Sequence, residues 1–195
     1  MINIYRYEIV ENEHLYGPGK RLLIFTQGCS LHCKGCVNQH LWEFGKGTDV
    51  LPEELLLQSK DLDGITLHGG EPLDQAEGLY ELVKLVKKQG KTVVLFSGYM
   101  FAELNKIQRK VWLNSDIIVS GRYDETKRSI YLQFRGSTNQ KVFTHKGKYK
   151  NYKIKDGKSV ALLTLNETGE LHSRGFRTDE LEILINEISN REKTE

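Results

Sequence analysis

The sequence has no apolar run near the roughly 20 residues that a bilayer-spanning helix requires, which argues against a membrane protein. It has no surplus of charge either: 28 Lys and Arg stand against 26 Asp and Glu, a formal net charge of +2 over 195 residues. That balance removes any general electrostatic case for nucleic acid or an anionic membrane as partner. The N-terminal stretch MINIYRYEIVENEH contains acidic residues and no apolar signal core, so no secretory signal is read there and a cytoplasmic location is expected. Internal repeats and low-complexity tracts are absent. Cysteine is scarce: the chain has three, an odd number and a poor disulfide framework. The remaining composition, 38 % hydrophobic and 28 % charged, fits one folded domain or one domain with an appendage.

All three cysteines, Cys29, Cys33 and Cys36, fall within the eight residues CSLHCKGC. Thiolates this close suit a soft metal centre in a reducing compartment. A C-x3-C-x2-C loop can hold three corners of a cubane iron–sulfur cluster, which ordinarily takes four cysteines. With no fourth cysteine, one iron is open or has a different ligand, and an open position marks a chemical rather than a structural metal. Zinc held by the three thiolates with His32 or His40 is the other reading of the spacing alone, and it would make the chain a non-catalytic binding module. Gly28 and Gly35 leave the loop free to curl and aim amides at sulfur.

Apolar runs at 22–26, 64–68, 92–96 and 116–120 read as strands. Helical patterns at 52–60, 73–89 and 101–113 lie between them, the second closed by Gly90. The alternation predicts an α/β fold with a parallel sheet and helical crossovers. Each distinctive loop follows the C-terminal end of a strand: the cysteine loop, Gly69-Gly70-Glu71-Pro72, Ser97-Gly98 and Ser120-Gly121. That edge carries the chemistry in such folds. Past residue 122 the rhythm fades. The expected division is a core over 1–140 and, over 141–195, a β-rich extension with a terminal helix at 178–190 begun by Thr178.

In order along the chain, the cysteine loop after the first of these strands and GGEP after the second resemble the radical S-adenosylmethionine superfamily. There the amino acid end of the cofactor chelates the open iron, and the GGE-P segment binds its amino group. Gly17-Pro18-Gly19-Lys20-Arg21, the KGC at Cys36, Ser97-Gly98-Tyr99 and Arg135-Gly136-Ser137-x-Asn139-Gln140 carry the likeness further. They are similar to segments of the small activating enzymes of glycyl-radical proteins, most of all those of anaerobic ribonucleoside-triphosphate reductase. The sequence departs from them at His68, where serine is common, and continues some fifty residues past the last motif.

The resemblance implies a partial (β/α) barrel, a 4Fe–4S cluster on Cys29, Cys33 and Cys36, and S-adenosylmethionine held by Gly69, Gly70, Glu71, Pro72 and Ser97. It implies no catalytic side chain beyond the cluster ligands. The implied activity is reductive cleavage of S-adenosylmethionine to a 5′-deoxyadenosyl radical that takes hydrogen from a glycine of a partner protein, with a flavodoxin or ferredoxin as electron donor. Radical modification of a peptide or small molecule is the alternative. Gly17–Arg21 and Arg135–Gln140 are either cofactor or partner surface or plain turns. Trp42 and Phe44 are read as core or cluster shielding. A bulky residue at Gly70 is expected to block the cofactor and spare the cluster.

Overall fold

The structure, a computed structural model, describes residues 1–144, 147–165, 171–175 and 183. The helix expected at 178–190 lies, apart from Ile183, outside the described residues. Four strands, β2 (Arg21–Thr26), β4 (Gly64–Gly69), β5 (Thr92–Ser97) and β6 (Ile117–Ser120), pair in parallel and form the middle of the sheet. Their crossovers carry α1 (Pro52–Gln58), α2 (Ala76–Lys88) and α3 (Lys106–Asn114).

The sheet is mixed rather than wholly parallel. β1 (Ile2–Val10) runs antiparallel to β2, β3 (Thr48–Val50) antiparallel to β1, and β7 (Lys141–Phe143) antiparallel to β6. The order of the seven strands is β3-β1-β2-β4-β5-β6-β7. A separate antiparallel pair, β8 (Ala161–Leu165) and β9 (Leu171–Gly175), follows. No helix among the described residues is long and apolar enough to cross a membrane.

The helices begin where local chemistry lets them. Pro52 opens α1, where its missing N–H costs nothing. The 73–89 pattern divides into a 3-10 turn, Pro72–Gln75, and then α2. In the third pattern a 3-10 turn at Phe101–Glu103 ends at Leu104. Asn105 then starts α3 by accepting from the amides of Ile107 and Gln108, while the Gln108 side chain accepts from Asn105 N. Leu79, Leu82, Val83 and Val86 of α2 are fully buried against the sheet, each contributing roughly 1.5–3 kcal/mol of burial.

The helices cover one face of the sheet, carrying Leu22, Ile24, Ile65, Leu67, Val93, Leu95 and Ile118. Alternate residues face the other way in rows set by register. One row runs Leu23, Thr66, Val94, Ile117, and the next, nearer the rim, runs Phe25, His68, Phe96, Val119. Val10, Tyr16 and Leu41 pack on one side of this inner face, and Phe134 and Tyr149 on the other.

Arg21 sits at the opposite end of this face from the rim. It is fully buried, and its guanidinium makes five hydrogen bonds, all to uncharged oxygens: Thr66 Oγ1 (2.8 Å), Pro18 O (3.0 Å), Thr92 Oγ1 (2.9 Å), Ile65 O (2.5 Å) and Thr92 O (3.1 Å). It thus clamps β2, β4 and β5 together and touches neither cofactor region nor surface. Burial pulls its pKa down to about 10, so the charge persists at neutral pH. A lysine cannot reproduce the planar fork. Arg21→Lys is expected to lower stability by roughly 3 kcal/mol, read as a lower urea midpoint at unchanged slope. A midpoint equal to wild type would show that the clamp contributes little.

Candidate functional site

The loops after β2, β4, β5 and β6 meet at one rim, over a cavity of about 630 Å³. Cys29, Cys33 and Cys36 line it together with Gly69, Gly70, Glu71, Ser97, Gly98 and Gly121. Pro72 is buried behind them, at the start of the 3-10 turn. The structure therefore brings the sequence-predicted residues to one place, because each follows a parallel strand at the same sheet edge.

The cysteine loop is built to present sulfur. Cys29 is buried and Cys33 and Cys36 are partly so, all as free thiols. Backbone amides of Leu31 and His32 bond Cys29, that of Tyr123 bonds Cys33, and that of Asn38 donates to Cys36 Sγ at 3.4 Å. Burial pushes the Cys29 and Cys33 thiols up, against these amides. Amide donors to thiolate sulfur are a usual means of tuning an iron–sulfur cluster. Gly35 has φ +72, and a Cβ there would lie 2.5 Å from Glu125 Oε2. The Glu125 carboxylate is itself held by Lys34 at 2.6 Å, so the glycine before Cys36 has a steric cause.

Of the two histidines considered for zinc, His40 lines the cavity with the thiols and His32 does not. His32 stacks on Trp42 with ring centroids 4.8 Å apart, and His40 meets the edge of Tyr5 at 5.4 Å. Among the described residues no three Cys, His, Asp or Glu side chains converge as a single metal ion requires. Three thiols on one cavity wall, each with an amide donor near its sulfur or its loop, fit a larger cluster.

Two carboxylates lock the rim. Glu71 is buried and accepts from Leu73 N (2.9 Å), Ser97 Oγ (2.8 Å) and Gly98 N (2.7 Å). Burial lifts its pKa to about 7 despite these donors. Asp74 accepts from Ser30 N (2.7 Å), Ser30 Oγ (2.9 Å) and Tyr99 OH (3.0 Å). The loops after β2, β4 and β5 are thus cross-tied, and the Ser97 hydroxyl is spent on Glu71. Nothing in the sequence marks Asp74, since an acid two residues after a proline carries no signal of its own.

Gly70 presses against the start of the cysteine loop and Gly69 against the end of β2. A Cβ on Gly70 would lie 2.1 Å from Gly28 O, and one on Gly69 2.4 Å from Thr26 N. Their backbone lines the cavity with no side chain in front of it, a cradle suited to an amino acid headgroup.

The Arg135–Gln140 segment is largely occupied with itself and its neighbours. Arg135 pairs with Asp156, Asn139 donates to Arg122 O, and Gln140 accepts from Gly136 N and Ser137 N while donating to Gly121 O. Gly136 and Gln140 still line the cavity. Trp42 lines it too, with a buried Nε1 lacking a partner, whereas Phe44 is exposed and covers Gly28. Tyr16, Phe25, Phe96 and Phe134 complete an aromatic wall that the sequence alone did not assemble.

Comparison with known proteins gives the family. Residues 15–143 match the family model "4Fe-4S single cluster domain". The anaerobic ribonucleoside-triphosphate reductase-activating protein of Haemophilus influenzae is 34 % identical over 141 residues, 67 % of this chain and 91 % of that one. Those of Vibrio cholerae and Escherichia coli K12 are 33 % and 31 % identical, each over 65 % of this chain and over 88 % and 89 % of their own. QueE from Escherichia coli overlaps 50 % of this chain and 52 % of its own at 22 % identity and a TM-score of 0.42. The chain belongs to the family of anaerobic ribonucleoside-triphosphate reductase-activating proteins and carries a 4Fe–4S single cluster domain.

Proposed function

We propose that this enzyme takes a hydrogen atom from a backbone glycine of an anaerobic ribonucleoside-triphosphate reductase and so installs the radical the reductase uses. The observation that carries the reading is the single cavity that joins the three thiols and the Gly69–Glu71 turn to an apolar inner wall, in a chain a third identical to reductase-activating proteins. Cys29, Cys33 and Cys36 would hold the cluster. The backbone of Gly69 and Gly70, aligned by Glu71, Pro72 and Ser97, would hold the amino acid end of S-adenosylmethionine. The chemistry these cofactors would supply when bound is one-electron cleavage of the sulfonium and transfer of a hydrogen atom from the substrate to the 5′ carbon so released.

The chain's own residues position and exclude. Glu71 and Asp74 keep the three loops in register. Phe25, Phe96, Val119 and Phe134 keep water from the inner wall. Four parallel strands with helical crossovers support a partial (β/α) barrel, with residues 1–140 as the core and 141–195 as an extension. A flavodoxin or ferredoxin in the cytoplasm would deliver the electron.

With the anaerobic reductase, dithionite and S-adenosylmethionine, the reductase should show a glycyl doublet in electron paramagnetic resonance. Glycine deuterated at Cα should pass its label into 5′-deoxyadenosine. Label arriving instead from a peptide side chain or a small metabolite would replace the glycine by another substrate.

A further inference from the structure

His68 stands in the row of inner-face residues just beneath the rim, flanked by Phe25 and Phe96 with ring centroids at 5.5 and 4.6 Å and by Tyr16 at 6.3 Å. The four members of this row, Phe25, His68, Phe96 and Val119, all line the cavity. His68 is the one polar side chain among them. Its Nδ1 accepts from the Gly69 amide at 2.7 Å. An imidazole whose Nδ1 accepts carries its proton on Nε2, and in an aromatic setting that N–H has the cavity as its remaining outlet.

We propose that His68 positions the substrate segment, its Nε2–H donating a hydrogen bond to a backbone carbonyl of the glycine-bearing chain that enters the cavity. This rests on the function proposed above. The cofactor's amino acid end belongs at the rim, with the thiols, Gly69, Gly70 and Glu71. His68 lies on the strand one row further in, where the tip of an inserted chain comes to rest. An inserted backbone brings carbonyl groups that lose water on entry. Among apolar walls, an unanswered carbonyl is costly and one fixed donor is decisive.

The donor does not depend on pH in the working range. Burial drives the His68 pKa down to about 4, so the ring stays neutral. Among the described residues no carboxylate shifts it, and the groups packed against it from β2, β5 and the 14–16 segment are Phe25, Phe96 and Tyr16. A neutral donor suits a carbonyl better than an anion.

Two substitutions separate this role from a structural one. His68→Asn keeps an acceptor for the Gly69 amide but cannot reach the place of Nε2. His68→Gln carries an N–H to that place and gives up the acceptor. Both holoenzymes are compared with wild type for iron content, S-adenosylmethionine affinity read from the cluster's spectrum, 5′-deoxyadenosine release without partner, and glycyl radical formed on the reductase.

The expected result is iron and cofactor affinity within twofold of wild type in His68→Asn, with radical formation down about tenfold. His68→Gln should recover most of that loss. The opposite order, Asn harmless and Gln harmful, would show that His68 only braces Gly69 and would overturn the proposal. An equal loss in cofactor affinity and radical formation would assign the donor to S-adenosylmethionine and also overturn it. A wild-type enzyme that raises no glycyl doublet would sink the substrate reading itself, and this inference with it. A wild-type doublet unchanged in both variants would sink the inference alone.

Discussion

Alanine in place of Cys29, Cys33 or Cys36 is expected to leave a folded chain with no cluster. Iron per chain after anaerobic reconstitution should fall from about four to below a tenth of that. Reductive cleavage of S-adenosylmethionine should vanish with it. The fold should survive because the loop has other anchors: Gly28 N donates to Leu41 O at 2.8 Å, Cys29 N to Trp42 O at 3.1 Å, and Ser30 to Asp74. None of these uses a thiol. The chain has no fourth cysteine to substitute. Far-ultraviolet circular dichroism and the urea midpoint should therefore match those of the cluster-free wild-type protein while the brown colour is lost. A variant that kept four irons and its spectrum would remove that cysteine from the ligand set.

Gly70→Ala is expected to lose cofactor binding and cluster assembly together. From the sequence alone, Gly70 lets the backbone approach the cofactor, and a larger residue there spares the metal. The structure places Gly70 against the cysteine loop as well. An added Cβ would meet Gly28 O at 2.1 Å, Gly28 C at 2.8 Å and Leu41 O at 3.2 Å, all of them backbone atoms that cannot swing aside. Gly28 O also accepts from Glu71 N at 2.9 Å. Relief of the clash must move Gly28, and with it Cys29, away from the β4 turn.

Overpacking of this kind costs about 1–3 kcal/mol, and here it falls on the hinge between the two halves of the site. Iron content should drop at least twofold, and S-adenosylmethionine should no longer perturb the cluster's spectrum. Gly90→Ala, also at a glycine but with nothing within 4 Å of the added carbon, should leave both unchanged. Normal iron content in Gly70→Ala would show that the two loops move independently.

The chemistry was legible because its motifs are short and each follows a strand end. Four apolar runs, each strong enough to be read alone, put the cysteine loop, GGEP and Ser97-Gly98 on one edge. The parallel order of β2, β4, β5 and β6 follows from their continuous hydrophobicity and intervening helices. β1 has no clear signature in the sequence because an antiparallel strand near the sheet margin can leave Tyr5, Arg6 and Tyr7 exposed, and its alternation is broken by a bulge between Ile4 and Arg6. β7 is only three residues long and takes its place by pairing with β6.

By itself, then, the sequence determined the metal class, the cofactor class and the edge at which they meet, since ligand type and spacing are local properties of the chain. Tertiary structure alone decided which neighbours those loops have. It turned Arg21 from a candidate surface residue into a buried clamp, because its partners on β4 and β5 lie 44 to 71 residues away. It made Asp74 and Tyr99 a latch on Ser30, and it set His68 among three aromatic rings facing a cavity. Such roles depend on contacts between distant segments, and no periodicity or motif along the chain encodes a distance across it.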